Sequence, residues 1–288
     1  MKIGLGTAQF GLAYGIANQQ GQVSRTAAKA MLQLASQQGI DTLDTAIAYG
    51  ESETCLGEIG TQGFKLVTKL PEVPQACTDV DAWVQAQMQA SLARLKVKAV
   101  DGLLLHRPQQ LLGTDGKALF QALQNLKHAG LVRKVGVSIY APDELATLTA
   151  QYRFDLVQSP FNLVDRRLYT SGWLQRLSDE GIEVHTRSAF LQGLLLMSRT
   201  YIPVRFSPWS ALWDKWHTWL SAQQVEAVHA CLAYPLSFAQ IDRVIVGADS
   251  ESHLQQILDV AHRAAPGDFP ALDCEEEKLI NPALWNQL

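Results

Sequence analysis

The chain has 288 residues, 47% of them hydrophobic and 18% charged, with a formal net charge of -4 and a pI near 6.0. That much apolar material supports a packed core and excludes a disordered chain. The slightly acidic balance supplies no field that would gather nucleic acid or an anionic membrane surface. The length fits one large α/β barrel, typically about 250 residues, as well as two ordinary domains, so the element pattern has to decide.

The opening "MKIGLGTAQFGLAYG" has no continuous apolar run with a cleavage site, and no stretch approaches the roughly 18 apolar residues of a membrane span. A cytoplasmic location is expected. Cys55, Cys77, Cys231 and Cys274 are scattered, without CxxC pairing or zinc-ligand spacing. They read as free thiols in a reducing compartment, and no metal is expected.

In chain order, "KIGLGTA" reads as a strand, and Ser24 stands as an N-cap before "RTAAKAMLQLASQQ", whose apolar residues fall at helical spacing and stop at Gly39. The alternation then repeats. "IDTLDT" precedes a helix near "SETCLGEIG", "FKLVTK" precedes "DVDAWVQAQMQASLARL", and "VDGLLLH" precedes "KALFQALQNLKHAG". In the second half "RKVGVSIY" leads into "APDELATLTAQY", "DLVQSP" into "YTSGWLQRLSDEG", "IEVHTRS" into "AQQVEAVHACLA", and "DRVIVGA" into "SESHLQQILDVAHRA". Short strands apolar on both faces and separated by helices belong in a parallel sheet joined by right-handed crossovers. Such units repeated without a Gly-, Pro- or Ser-rich linker predict a closed (β/α)8 TIM barrel over residues 1–288 as one domain. One stretch breaks the rhythm: residues 201–219 concentrate Trp209, Trp213, Trp216 and Trp219. They predict an extra loop with a short helix, either an aromatic cover packed on the barrel or a lid touching substrate.

A barrel of this kind builds its active site at the C-terminal ends of the strands. Asp44 ends strand two and Tyr49 follows in its loop; Lys69 ends strand three in "LVTKL" and His106 ends strand four in "LLLHRP". Each alone carries little, but three successive strands aim four ionisable side chains at one place. The plain alternative is an ordinary buried ion pair between Asp44 and Lys69 with Tyr49 merely packed beside it.

With these residues in place, the chain resembles the aldo-keto reductase family over nearly its whole length. "DTLDTAIAYGESE" carries the family's Asp and Tyr, "VTKL" its lysine, "LLLHRP" its histidine, "VGVSIY" and "DLVQSPFN" its strands five and six, and "SAFLQGLL" the turn after strand seven. The resemblance implies an NAD(P)H-dependent oxidoreductase acting on a small aldehyde, ketone or sugar-like carbonyl, with no nucleic-acid or membrane partner. The logic holds in physical terms as well. Reducing a carbonyl needs a hydride at carbon and a proton at oxygen, and a tyrosine with a pKa near 10 is a reluctant acid. Lys69 would stabilise the tyrosinate, Asp44 would hold Lys69 charged and in place, and His106 would orient the carbonyl.

No GxGxxG follows a strand, so the resemblance places the dinucleotide elsewhere. It lays Gly6, Thr7 and Ala8 along the cofactor, gives the nicotinamide carboxamide to Ser138 and Gln158, and gives the pyrophosphate to Ser188, Leu191 and Gly193. After strand eight, "GADSESHLQQI" sets the hydroxyls of Ser250 and Ser252 at a helix N-terminus, a sound anion site, with Gln256 further along. The departures lie here. Gly247, Ala248 and Asp249 stand where Lys or Arg usually meets the adenosine 2′-phosphate, and His253 stands where an arginine is common. Ile139 replaces an asparagine, and Arg187 replaces an aromatic that stacks on the nicotinamide, a role a guanidinium plane can also fill. Family habit gives NADP(H) as the expected cofactor, and Asp249 keeps NAD(H) open; Asp249 capping the helix is the plain alternative. Two other classes fit the same residues: a cofactor-binding sensor or regulatory barrel with little turnover, and a Schiff-base aldolase using Lys69.

Overall fold

The computed structural model describes residues 1–18 and 20–288. Its strands are β1 Ile3–Gly6, β2 Thr42–Asp44, β3 Lys65–Leu70, β4 Val100–Leu105, β5 Val132–Ser138, β6 Leu156–Pro160, β7 Glu183–Arg187 and β8 Arg243–Gly247. Every neighbouring pair is parallel, and β1 also pairs with β8, placing Ile3 opposite Val244, so the sheet closes on itself in sequence order. The (β/α)8 TIM barrel expected from the alternation is the fold observed.

The two-residue period of a strand decides what fills the barrel. Val67, Leu104 and Leu156 form a small apolar cluster of their own, apart from the large core between sheet and helices. A Cβ added at Gly102 would meet Val67 and Leu156, so Gly102 faces inward with them. Stepping two residues toward the C-terminal end of each strand from this middle layer reaches Lys69, His106 and Gln158. The parity that fills the barrel therefore also delivers the polar residues at its top.

The helices follow their caps. Ser24 accepts a hydrogen bond from the Ala27 N–H ahead of the helix Arg25–Gln37, and Asp79 does the same from Ala82 ahead of Val80–Leu95. Two expected helices are broken. The stretch 169–181 divides at Gly172, which has φ +79°, into Arg167–Thr170 and Trp173–Asp179. The stretch 222–233 straddles a stop at Gln224, which takes a left-handed conformation with φ 54° between the helices Ser210–Gln223 and Ala227–Leu236.

The tryptophan-rich stretch is likewise more helical than expected: short 3-10 turns lead into the 14-residue helix Ser210–Gln223. Trp213 and Trp216 are fully buried, and their indole N–H groups donate to the carbonyls of Phe206 and Leu195 at 3.0 Å each. Burying rings of this size is worth roughly 4 to 6 kcal/mol each before the entropy of ordering them, and the hydrogen bonds remove the polar penalty. The segment is an aromatic cover. No helix of the chain, among the described residues, is long and apolar enough to cross a membrane.

Candidate active site

The site starts with a crossing of two loops. A Cβ on Gly11 would lie 1.8 Å from the Tyr49 carbonyl oxygen, and one on Gly50, whose φ is +53°, would lie 2.5 Å from that of Gly11. Only glycines let the loops after β1 and β2 pass this closely, and that passage sets Tyr49 over the barrel mouth. Ser52 locks it from below, its hydroxyl donating to the Thr7 carbonyl at 2.8 Å and lying 2.9 and 3.0 Å from the Thr7 and Thr45 hydroxyls.

Asp44 and Lys69, 4% and 1% exposed, meet at the top of the barrel, with Lys69 Nζ 2.5 Å from Asp44 Oδ1. Lys69 also donates to the Thr45 carbonyl at 2.8 Å. The second carboxylate oxygen of Asp44 accepts from Gln158 Nε2 at 2.7 Å, and Gln158 Oε1 accepts from the Ser138 hydroxyl at 3.3 Å. A buried pair depends on further hydrogen bonds to each partner, and the Thr45 carbonyl and Gln158 amide supply one to each. Burial lowers the Lys69 pKa below its ordinary value, helped by the nearby Arg187 charge and opposed by Asp44.

Lys69 Nζ lies 5.1 Å from the centroid of the Tyr49 ring, over its face, and the His106 ring meets Tyr49 edge-on at 5.8 Å and 72°. The Tyr49 hydroxyl has no hydrogen-bond partner among the described residues, and Tyr49 and His106 both line the cleft above. Burial pushes the phenol well above a tyrosine's usual range and the Asp44 carboxylate adds to the shift; the cation that pulls it down is Arg187. Lys69, to which the sequence expectation gave that role, is matched by Asp44 and lies over the Tyr49 ring. Burial, with the charges of Lys69 and Arg187, holds the His106 pKa down at about 3, so its imidazole is neutral near pH 7. The arrangement is a protonated phenol and a neutral imidazole facing open space above a buried ion pair.

That space is a cleft of about 920 Å³, near the upper end of the 300 to 1,000 Å³ common for ligand pockets. Gly6, Thr7, Ala8 and Ser138 line it beside the four ionisable groups' end. Arg187, Ser188 and Gly193 line it after β7, and Gly247, Asp249, His253 and Gln256 after β8. Four residues assigned to the cofactor are placed otherwise. Leu191 is fully buried, Gln158 is buried and committed to Asp44, and Ser250 spends its hydroxyl capping the helix Glu251–Ala261 through the His253 N–H. Ser252 lies beside Ser250, their hydroxyls 2.9 Å apart, outside the cleft lining.

Because Ser250 is the cap, Asp249 is not. Its Oδ1 is buried with no hydrogen-bond partner among the described residues, and burial raises its pKa. The cleft thus holds an acceptor waiting for a donor, which suits a sugar hydroxyl. A bound dinucleotide fits the donor and acceptor set of this wall in that respect. Tryptophans 209, 213, 216 and 219 are all absent from the cleft lining. The sequence also missed Tyr140, whose ring has the guanidinium of Arg107 5.5 Å and that of Arg187 5.0 Å from its centroid. Tyr140 lies two residues past the end of β5, on the face where the strand-end residues gather, which is the signal that could have found it. No group of three His, Cys, Asp or Glu side chains among the described residues is placed to hold a metal.

The family model for the aldo/keto reductase family matches residues 2–272, and the chain belongs to that family. Aldo-keto reductase YhdN of Bacillus subtilis is 27% identical over 207 residues, which cover 67% of this chain and 60% of YhdN, so the match spans about three-fifths of that relative's length. D-threo-aldose 1-dehydrogenase of a Pseudomonas species is 24% identical over 311 residues, covering 93% of this chain and 94% of that one. Among solved structures, an aldo-keto reductase from Bacillus halodurans in its holo form superimposes with a TM-score of 0.74 at 20% identity, covering 96% of this chain and 95% of its own, a likeness of fold.

Proposed function

We propose that this protein is a nicotinamide-dependent oxidoreductase that reduces an aldehyde, ketone or sugar-like carbonyl, with Asp44, Tyr49, Lys69 and His106 as its reacting set. The observation that carries the reading is the free Tyr49 hydroxyl beside neutral His106, held over the buried Lys69–Asp44 pair at the wall of one long cleft. A nicotinamide cofactor supplies the hydride when bound. Tyr49 gives its proton to the carbonyl oxygen as the alcohol forms, and Arg187, whose charge already lowers the phenol's pKa, stabilises the tyrosinate left behind. His106 donates an N–H to the same oxygen and fixes its direction, a task that a neutral imidazole performs without competing for the proton. Asp44, tied to Gln158 and Lys69, keeps a cation beneath the ring without leaving it unpaired.

For the cofactor, NAD(H) is read ahead of NADP(H), reversing the order drawn from family habit. Support comes from the far end of the cleft, whose lining after β8 has Asp249, His253 and Gln256 but no Lys or Arg. The unpartnered Asp249 oxygen would accept from a ribose 2′-hydroxyl and repel a 2′-phosphate. The cysteines, all unpaired, support a reducing, cytoplasmic setting.

Titrating NADH and NADPH against tryptophan fluorescence, then following cofactor oxidation over a panel of aldehydes and ketones, tests the reading. Tight binding with turnover supports it. Tight binding with no turnover on any carbonyl overturns it in favour of a cofactor-sensing barrel.

A further inference from the structure

The reductase reading admits plain aldehydes and ketones as well as sugar-like ones, and the wall beside Tyr49 separates them. Leu12 and Tyr14, on the loop after β1, are large hydrophobic side chains left 37% and 41% exposed, and both line the cleft. Hydrophobic residues scattered singly over a surface are ordinary, whereas exposed apolar groups gathered at a cleft mark a place where a ligand covers them.

Both belong to the reacting end and both are held. A Cβ on Gly50, the residue after Tyr49, would lie 3.3 Å from Leu12 Cδ2. The Tyr14 hydroxyl accepts from Gln192 Nε2 at 3.2 Å, which ties the loop after β1 to the turn after β7. Burial of that hydroxyl raises its pKa and the Tyr49 phenol adds to the rise, so the two phenols are neighbours. Ala48 and the Tyr140 ring line the cleft as well, from the loops after β2 and β5.

Reading a row of sugar hydroxyls takes a matching row of free donors and acceptors. The carboxylates and amides that line the cleft are engaged or stand elsewhere. Asp44 is held by Lys69 and Gln158, and Glu226 faces Arg263. The Asn18 amide makes four hydrogen bonds within its own loop, and Gln192 donates to Tyr14. Gln9 lies against Gly247 at the end of β8, and Asp249 and Gln256 follow that strand. Beside Leu12 the Tyr49 hydroxyl and His106 serve one oxygen, that of the carbonyl.

We propose that Leu12 and Tyr14 form an apolar seat for the body of the substrate, so that the site takes carbonyl compounds with an alkyl or aryl tail in preference to polyhydroxylated ones. The proposal rests on the reductase reading for its turnover test, though not for its binding test. Removing apolar area from water is a non-directional gain, so the preference should follow the length of the tail.

The experiment measures kcat/KM, per unhydrated aldehyde, for propanal, butanal, pentanal and hexanal, and for glyceraldehyde and erythrose, the hydroxylated counterparts of the first two. Each buried methylene should raise kcat/KM about three- to fourfold, and each alkanal should exceed its hydroxylated counterpart by about tenfold. The gain per methylene should fall below about twofold in Leu12→Ser and in Tyr14→Ser, whereas Tyr14→Phe, which keeps the ring, should retain it. Thermal midpoints confirm that the variants fold. In parallel, the unreactive amides butanamide and hexanamide are titrated calorimetrically onto the protein with NADH present. Hexanamide binding about tenfold tighter than butanamide, with the difference lost in Leu12→Ser, supports the seat even if no aldehyde is reduced, in which case the reductase reading alone fails. A flat chain-length series, a preference for the hydroxylated aldehydes, or a gain per methylene untouched in both Leu12→Ser and Tyr14→Ser overturns the proposal. Absence of amide binding together with absence of turnover overturns it as well.

Discussion

The two ends of the barrel are both crowded with charge, and they handle it in opposite ways. At the floor, where strands begin, Asp41 accepts from Lys65 at 2.9 Å and from Arg243 at 2.8 Å, and Glu183 pairs with both Lys134 and the His185 ring. Burial would push the Asp41 pKa up, but these cations and the Thr42 hydroxyl hold it well below its ordinary range; His185 and Lys134 draw that of Glu183 down to about 2. At the top, the Tyr49 hydroxyl, an Asp249 oxygen and the Arg187 fork are left open onto the cleft. Charge at the floor is paired to hold the fold; above the Lys69–Asp44 pair, polar groups at the top are kept open where a ligand can meet them.

Breaking the top should cost chemistry and spare stability. Tyr49→Phe keeps the ring and removes the proton, so turnover should fall by about 10²- to 10⁴-fold, with cofactor dissociation constant and thermal midpoint nearly unchanged. A loss under tenfold, measured with hydride transfer rate-limiting, would remove Tyr49 as the acid. Asp249→Arg should shift the NADPH to NADH affinity ratio toward NADPH by roughly tenfold, from a charge effect of about 1 to 4 kcal/mol before screening, and added salt should shrink the shift. Dissociation constants at two salt concentrations check it.

Breaking the floor should do the reverse. Glu183→Gln should lower stability by about 1 kcal/mol, an amount already reduced because the side chain is a quarter exposed, while kcat stays unchanged. Because the native carboxyl titrates at about 2, well below an unfolded glutamate near 4.5, the advantage of the unmodified protein is full above pH 4.5 and vanishes as pH falls toward 2. Urea unfolding of both proteins across that range reads it directly.

His106 sharpens the comparison at the top. His106 has a native pKa of about 3, below its ordinary 6.5, so the unfolded chain binds the proton first as pH drops. Stability is therefore lost between pH 6.5 and 3, by at most about 1.4 kcal/mol per unit and less because the ring is half-buried. His106→Gln should narrow the gap between thermal midpoints at pH 7 and pH 5.

The strand ends were legible in the sequence because each carries its own residue at a position fixed by a two-residue period: Asp44, Lys69 and His106 could be placed without knowing the barrel's closure. What was not legible depends on that closure. Gln158 reaches Asp44 from across the barrel, 114 positions away, and so turns from a cofactor contact into a brace. Leu191 falls inward because the turn after β7 runs through left-handed residues, with φ 48° at Leu191 and 53° at Gln192, which no apolar periodicity announces. The stop at Gln224 was hidden for the same reason, since a left-handed glutamine has no sequence mark comparable to glycine's.

The seam between β1 and β8 also sets a timetable. Of the eight barrel strands β1 leaves the ribosome before the others and β8 after them, so one edge of β1, from Ile3 to Gly6, has no partner until nearly the whole sheet exists. An unpaired edge is a template for wrong pairing, and contacts between distant strands form slowly. The nascent barrel is therefore an open, sticky sheet for most of its elongation, and its yield in cells should respond to translation speed and chaperone supply more steeply than the stability of the finished protein would suggest.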